Sequence, residues 1–325
     1  MIGQGRNSLL FATGFIIAAF CWWSILWFVK DKPVPNAIFT QSILDSKIEA
    51  ARSSPKVPKV VFLGGSNVLF GIDSKQFARQ TKHSALNFGC AAGMGPELIL
   101  DLVAPYLIKG DLVVLHWEYG QYLFTRSGQV NLTYLNLLSG PQHHFAEQLP
   151  WKDRQALALS VSFSHVRQGI ETHLNPYVDA EIYRCNWVLD ECGNIRSNLG
   201  GLLSQEMKRD PLSSLIHEIE ITEDVSEIFS AFVHRCNERG VRVIASWPNL
   251  YAHQAYDGNP IAKENFRVIK EFWESLDVPV VGDPRDAMFQ EKFFHDTMYH
   301  LNSKGVALRT EKLVEELKPL LQFVD

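Results

Sequence analysis

Five short runs in this chain are apolar at consecutive positions instead of alternate ones. They are residues 59–63 (KVVFL), 85–88 (ALNF), 111–117 (DLVVLHW), 241–247 (VRVIASW) and 278–281 (VPVV). A strand with one wet face alternates; a strand covered on both faces does not. Amphipathic stretches with helix-end signals separate the runs. Residues 74–80 follow Asp73 or Ser74 as N-cap, and Pro96 suits the first turn of a helix over 96–108. Residues 225–238 stop before Gly240, 260–275 form another helix, and Asn302 or Ser303 caps a closing helix over 303–317. Strands alternating with helices predict a parallel sheet covered on both faces. Between about 120 and 224 the rhythm breaks into aromatic and polar residues, read as a largely helical insertion.

The N-terminus follows a different rule. Residues 8–29 read SLLFATGFIIAAFCWWSILWFV without a charge. As a helix this run is about 33 Å long, enough to cross a hydrocarbon core. Its apolar core is long for a cleaved signal, and Trp22, Trp23 and Trp27 fit a small-residue cleavage site badly. The expectation is an uncleaved anchor over residues 1–30, a linker over 31–58 and a globular domain over 59–325. The charges beside the span, Arg6 before it and Lys30, Asp31 and Lys32 after it, leave its orientation open.

The net charge of −5 argues against nucleic acid as the main partner, because duplex binding needs a basic face. The five cysteines show no CxxC and no zinc-like spacing. Cys185 and Cys192 flank a turn-like stretch, and either a disulfide or two separate thiols fits them. Adjacent His143 and His144 make poor metal geometry. No metal and no cofactor is expected.

Chemistry concentrates in two distant stretches. Gly64-Gly65-Ser66-Asn67 puts a serine in a tight turn where the first strand ends, and ligands of open α/β sheets bind outside such strand ends. Asp296 and His300 stand just before the closing helix. A serine hydroxyl is a weak nucleophile at neutral pH and needs a base, which in turn needs an orienting acceptor. Ser66, His300 and Asp296 can fill those three roles. The alternative is local: a hydroxyl capping a turn, a histidine in the core and an aspartate at a helix N-terminus. Trp117, Glu118, Tyr119, Trp247 and Asn249 fall on loops after the strands and are candidates for a pocket wall. Such aromatics suit a carbohydrate face and suit ordinary packing equally well.

These residues resemble the blocks of the SGNH/GDSL hydrolase superfamily. Gly64-Gly65-Ser66-Asn67 is similar to the first block, Asn87-Phe88-Gly89 to the second, and Asp296 with His300 to the last. The resemblance implies a three-layer α/β/α, flavodoxin-like fold with a five-stranded parallel sheet, here with an N-terminal transmembrane helix. It implies Ser66 as nucleophile, His300 as base and Asp296 as orienter, with the oxyanion held by N–H groups of Ser66 and Gly89; Asn67 or another backbone N–H is the candidate stand-in for the family's third-block donor. Two departures stand out. Three residues separate Asp296 from His300 where the family has two, and the third block is replaced by His116-Trp117-Glu118-Tyr119-Gly120. Its oxyanion-binding asparagine is therefore missing, and one such donor is worth roughly 3 kcal/mol.

The span, the Leu-Phe-Gly-Ile-Asp after the serine turn and the Tyr-His-Leu-Asn-x-x-Gly ending resemble membrane-anchored envelope proteins. These are the teichoic-acid D-alanylation proteins of the DltD type and the alginate O-acetylation proteins. That resemblance implies a single-pass inner-membrane protein with an extracytoplasmic, periplasmic domain, working beside a membrane-bound O-acyltransferase. The expected function is a serine esterase or O-acyltransferase acting on an envelope polysaccharide through an acyl-enzyme. A non-catalytic accessory protein and a tethered lipase are the alternatives.

Overall fold

The computed structural model describes residues 2–29, 35–126, 151–152, 155, 163–174, 189–195 and 203–321. The chain divides into two compact units, residues 1–42 with 130–185 and residues 43–129 with 186–325. The boundary falls within helix α2 (Pro35–Ser53).

In the first unit, helix α1 runs unbroken over Ile2–Val29. Its described side chains, Leu10 to Ile25 and Trp27, include Phe11, Phe15, Phe20 and Trp23, all exposed. Among the described residues no helix is long and apolar enough to cross a membrane. Trp22 stacks on Phe163, with ring centroids 6.5 Å apart, at the start of a second helix over Phe163–Leu174. Most of the segment expected as a helical insertion, including Cys185, His143 and His144, lies outside the described residues.

The second unit holds strands β1 (Lys59–Gly64), β2 (Ser84–Gly89), β3 (Leu112–His116), β4 (Arg242–Ser246), β5 (Leu250–Tyr251), β6 (Val280–Val281) and β7 (Met288–Phe289). Five form one parallel sheet in the order β2-β1-β3-β4-β6. The expected strands are all present. β5 and β7 form a separate two-residue pair, too short to leave a sequence pattern. After β1 the chain adds β2 on one side, then returns past β1 to add β3 on the other. The reversal opens a crevice at the ends of β1 and β3, where ligands of such sheets bind.

Both faces of the sheet are covered. Val60, Phe62, Leu112, Val114 and Ile244 pack with Phe77, Leu313 and Leu317. The alternate residues Val61, Leu63, Val113 and Leu115 point the other way and are equally buried. This two-sided burial explains the unbroken apolar runs. The first of these faces is covered by the helix over Ser74–Thr81, capped by Asp73, and the closing helix over Ser303–Leu321, capped by Asn302.

A buried ion pair and a further buried charge help pin the unit. At the starting edge of the sheet, Lys59 meets Asp111 at 3.0 Å, both nearly inaccessible. Asp111 also accepts from the main-chain N–H groups of Lys59 and Ile108. The further charge is Lys47 of α2, whose ammonium donates to Asn87 O, Asn87 Oδ1 and Gly193 O at 2.9, 2.9 and 2.6 Å. The later part of the expected 31–58 linker is thus part of the globular unit: Ile43, Leu44, Ala50 and Ala51 line the apolar face that carries Lys47 inward.

Candidate active site

Ser66 opens a single helical turn, α3 (Ser66–Leu69), directly after β1. The turn sits tightly against the sheet. A Cβ on Gly64 would lie 2.2 Å from His116 O, and one on Gly89 would lie 2.1 Å from Leu69 N. Glycine at both positions lets α3 rest on the ends of β2 and β3.

Glu118 is the residue that meets the serine. In the β1–β3 register Gly64 faces His116, and the same offset of 52 carries Ser66 to Glu118 two residues further on. Ser66 Oγ donates to Glu118 Oε1 at 2.9 Å, and the Asn67 N–H donates to the same oxygen at 2.9 Å. Gly65 makes room, since a Cβ there would lie 2.9 Å from that oxygen. Burial pushes the Glu118 carboxyl above the usual carboxylate range. The Asn67 N–H, the Ser66 hydroxyl, the charge of His300 and the Ser66 N–H pull against it without cancelling it.

His300 and Asp296 are joined as expected, Nδ1 to Oδ1 at 2.8 Å. The extra residue between them closes one turn, in which the His300 N–H donates to Thr297. Burial alone would raise Asp296, but the His300 hydrogen bond and the charges of His300 and His295 hold it below its ordinary value. The imidazole stacks on Phe70, centroids 4.1 Å apart, which brings it to the serine turn. Asn249 also ties this loop down, donating to Tyr299 O. Tyr299 in turn accepts from the Tyr119 N–H at 3.3 Å. Its hydroxyl is raised well above the ordinary value by burial and by Glu118. Among the described residues Ser66 Oγ has Glu118, not His300, as its hydrogen-bond partner.

The expected oxyanion donors are differently engaged. The Gly89 N–H donates to Asn87 Oδ1 at 2.9 Å, while the close approach of α3 accounts for a glycine at this position. The Asn67 side chain is fully buried and donates to His116 O at 3.1 Å. Of the candidate pocket residues, Trp117, Tyr119 and Trp247 are core groups packed on Phe229 and Phe266, with exposures of 1%, 0% and 4%. They offer no sugar-binding platform. Glu118 and Asn249 remain at the site, the first as a direct partner of the serine. A cavity of about 290 Å³ lies beyond Phe70, lined by Leu69, Phe70, Lys75, Arg79, Asp190 and Leu301 among others, and Ser66 does not line it.

His116 sits beneath the serine turn with Nε2 unpartnered and Nδ1 3.5 Å from Trp247 O. Burial and the charge of Arg309 push its pKa down to about 3 from 6.5. The unfolded chain takes up this proton near pH 6.5 and the folded chain does not. Stability from this group is therefore full above pH 6.5 and drains away as pH falls toward about 3. The His116→Gln variant is expected to lose less thermal stability than wild type between roughly pH 7 and roughly pH 4.5, as read by circular dichroism.

Cys192 is a free thiol. Among the described residues no group of His, Cys, Asp or Glu can hold a metal ion. No protein-family model matches the chain, and no curated protein matches it.

Proposed function

We propose that this chain is a membrane-anchored, extracytoplasmic serine esterase or O-acyltransferase that acts on an envelope glycan through an acyl-Ser66 intermediate. One observation carries the reading. A serine at the topological switch point of a parallel sheet has its hydroxyl held by a buried acceptor, beside an imidazole–carboxylate pair 2.8 Å apart. The strand order agrees with the flavodoxin-like SGNH fold, as do the positions of Ser66, Asp296 and His300. The apolar run over residues 8–29 and the resemblance to envelope proteins support an anchor in the inner membrane. They also support a membrane-bound O-acyltransferase as partner.

A second reading draws on a specific observation. The Gly89 and Asn67 N–H groups and the Asn67 amide already have protein acceptors, which leaves few donors for an oxyanion. A non-catalytic accessory protein of the same fold would look this way. A fluorophosphonate probe applied to the full chain in detergent separates the two. Wild type is expected to be labelled and Ser66→Ala to be unlabelled; folded wild type that stays unlabelled would favour the accessory role.

A further inference from the structure

Resting on the serine-enzyme reading, we propose that Glu118, not His300, is the direct proton acceptor and donor for Ser66. Two donors converge on one carboxylate oxygen. Ser66 Oγ and the Asn67 N–H both donate to Glu118 Oε1 at 2.9 Å. Gly65 leaves the space through which that oxygen reaches the serine, since a methyl group there would press on it at 2.9 Å. A general base must lie within about 2.6–3.2 Å of the group whose proton it takes, and Glu118 meets that limit. His300 instead has its Nδ1 on Asp296, and the structure gives it no hydrogen bond to the serine.

Burial suits Glu118 to the task. A carboxylate raised above its ordinary range is a stronger base than one in water, and the shift here is upward. The N–H of Asn67 fixes the carboxylate so that little reorganisation precedes transfer.

The proton balance closes on this one group. Ser66 Oγ bonds to the acyl carbon of an ester while its proton passes to Glu118 Oε1 and the carbonyl π pair moves onto oxygen. As the carbonyl re-forms, the ester C–O bond breaks and the departing alkoxide takes the proton from Glu118. In the second half the acceptor hydroxyl, from water or a sugar, gives its proton to Glu118 as it bonds to the acyl carbon. Ser66 Oγ then leaves with that proton, and enzyme and carboxylate are restored. His300 and Asp296 flank this cycle without entering its proton count.

The test is the rate of fluorophosphonate labelling against pH for full-length wild type, Glu118→Gln, Glu118→Asp and His300→Gln. Glutamine keeps an acceptor oxygen for Ser66 and Asn67 but cannot take a proton. Expected is a wild-type rate that rises with pH through an inflection above the usual carboxylate range. Glu118→Gln should be slower by about 100-fold or more and should lack that inflection. His300→Gln should retain it. Should Glu118→Gln fail to fold, a displaced inflection in Glu118→Asp supports the assignment and an unmoved one overturns it. Near-normal labelling of folded Glu118→Gln, with labelling lost in His300→Gln, overturns it and leaves the serine-enzyme reading standing. Folded wild type that is never labelled overturns both.

Discussion

Asp111→Ala is expected to lower the unfolding free energy by about 3–5 kcal/mol. The carboxylate is fully buried and holds three donors: the Lys59 ammonium at 3.0 Å, the Lys59 N–H at 3.0 Å and the Ile108 N–H at 2.8 Å. Alanine would strand an ammonium that is itself only 3% exposed, with one long bond of 3.4 Å to Tyr106 O remaining. The cost is that of an uncompensated buried charge together with two orphaned amides. On thermal melting of the full chain in detergent the loss should appear as a fall on the order of 10 °C. Removing both charges, with Lys59→Met added to Asp111→Leu, should recover part of it, because the stranded ion is then gone. A single Asp111→Ala chain that melts like wild type would mean that this edge of the sheet is held by packing alone.

Gly89→Ala should combine a stability loss of about 3 kcal/mol with a separate loss of reactivity at the serine. The new methyl would lie 2.1 Å from Leu69 N and 2.6 Å from Val68 C, both main-chain atoms of α3. No side-chain rotation relieves that contact, so the turn that begins with Ser66 must move. A displacement of about 1 Å at a reacting group can cost 100-fold in rate. Labelling of Ser66 should therefore fall by at least about 10-fold even where the protein stays folded. Gly120→Ala is the control: no atom lies within 4 Å of its Cβ, and a change within about 0.5 kcal/mol is expected. Equal behaviour of the two variants would disprove the close-approach role of Gly89.

The contrast between these glycines shows where a sequence stops being informative. The five strands of the main sheet are legible because two-sided burial writes itself as unbroken Val, Ile and Leu. Ser66, Asp296 and His300 are legible because polar groups at strand and helix ends have little packing reason to be there. Glu118 is harder. Its position after β3 puts it at the correct edge, but its partner follows from the register that sets Gly64 against His116. Register is a property of the assembled sheet. The same limit applies to Trp117 and Tyr119, which flank Glu118 and turn into the core where Glu118 turns to the serine. The donor role expected of Gly89 failed to anticipate that Asn87, two residues earlier, would claim its N–H. Lys47 left no signal at all, because a lysine in an amphipathic helix ordinarily faces water.

That lysine bears on the order in which the unit assembles. Its acceptors lie 40 and 146 positions later in the chain. The Asn87 strand can pair with β1 early in synthesis, but the ammonium must wait until Gly193 exists and a long loop has closed. Until then it stays hydrated and charged. Burial then draws its pKa down to about 7 from 10.5, so between those values docking this lysine also expels a proton. Between those pH values the unit gains stability as pH rises, because its unfolded form binds one more proton at Lys47 than its folded form.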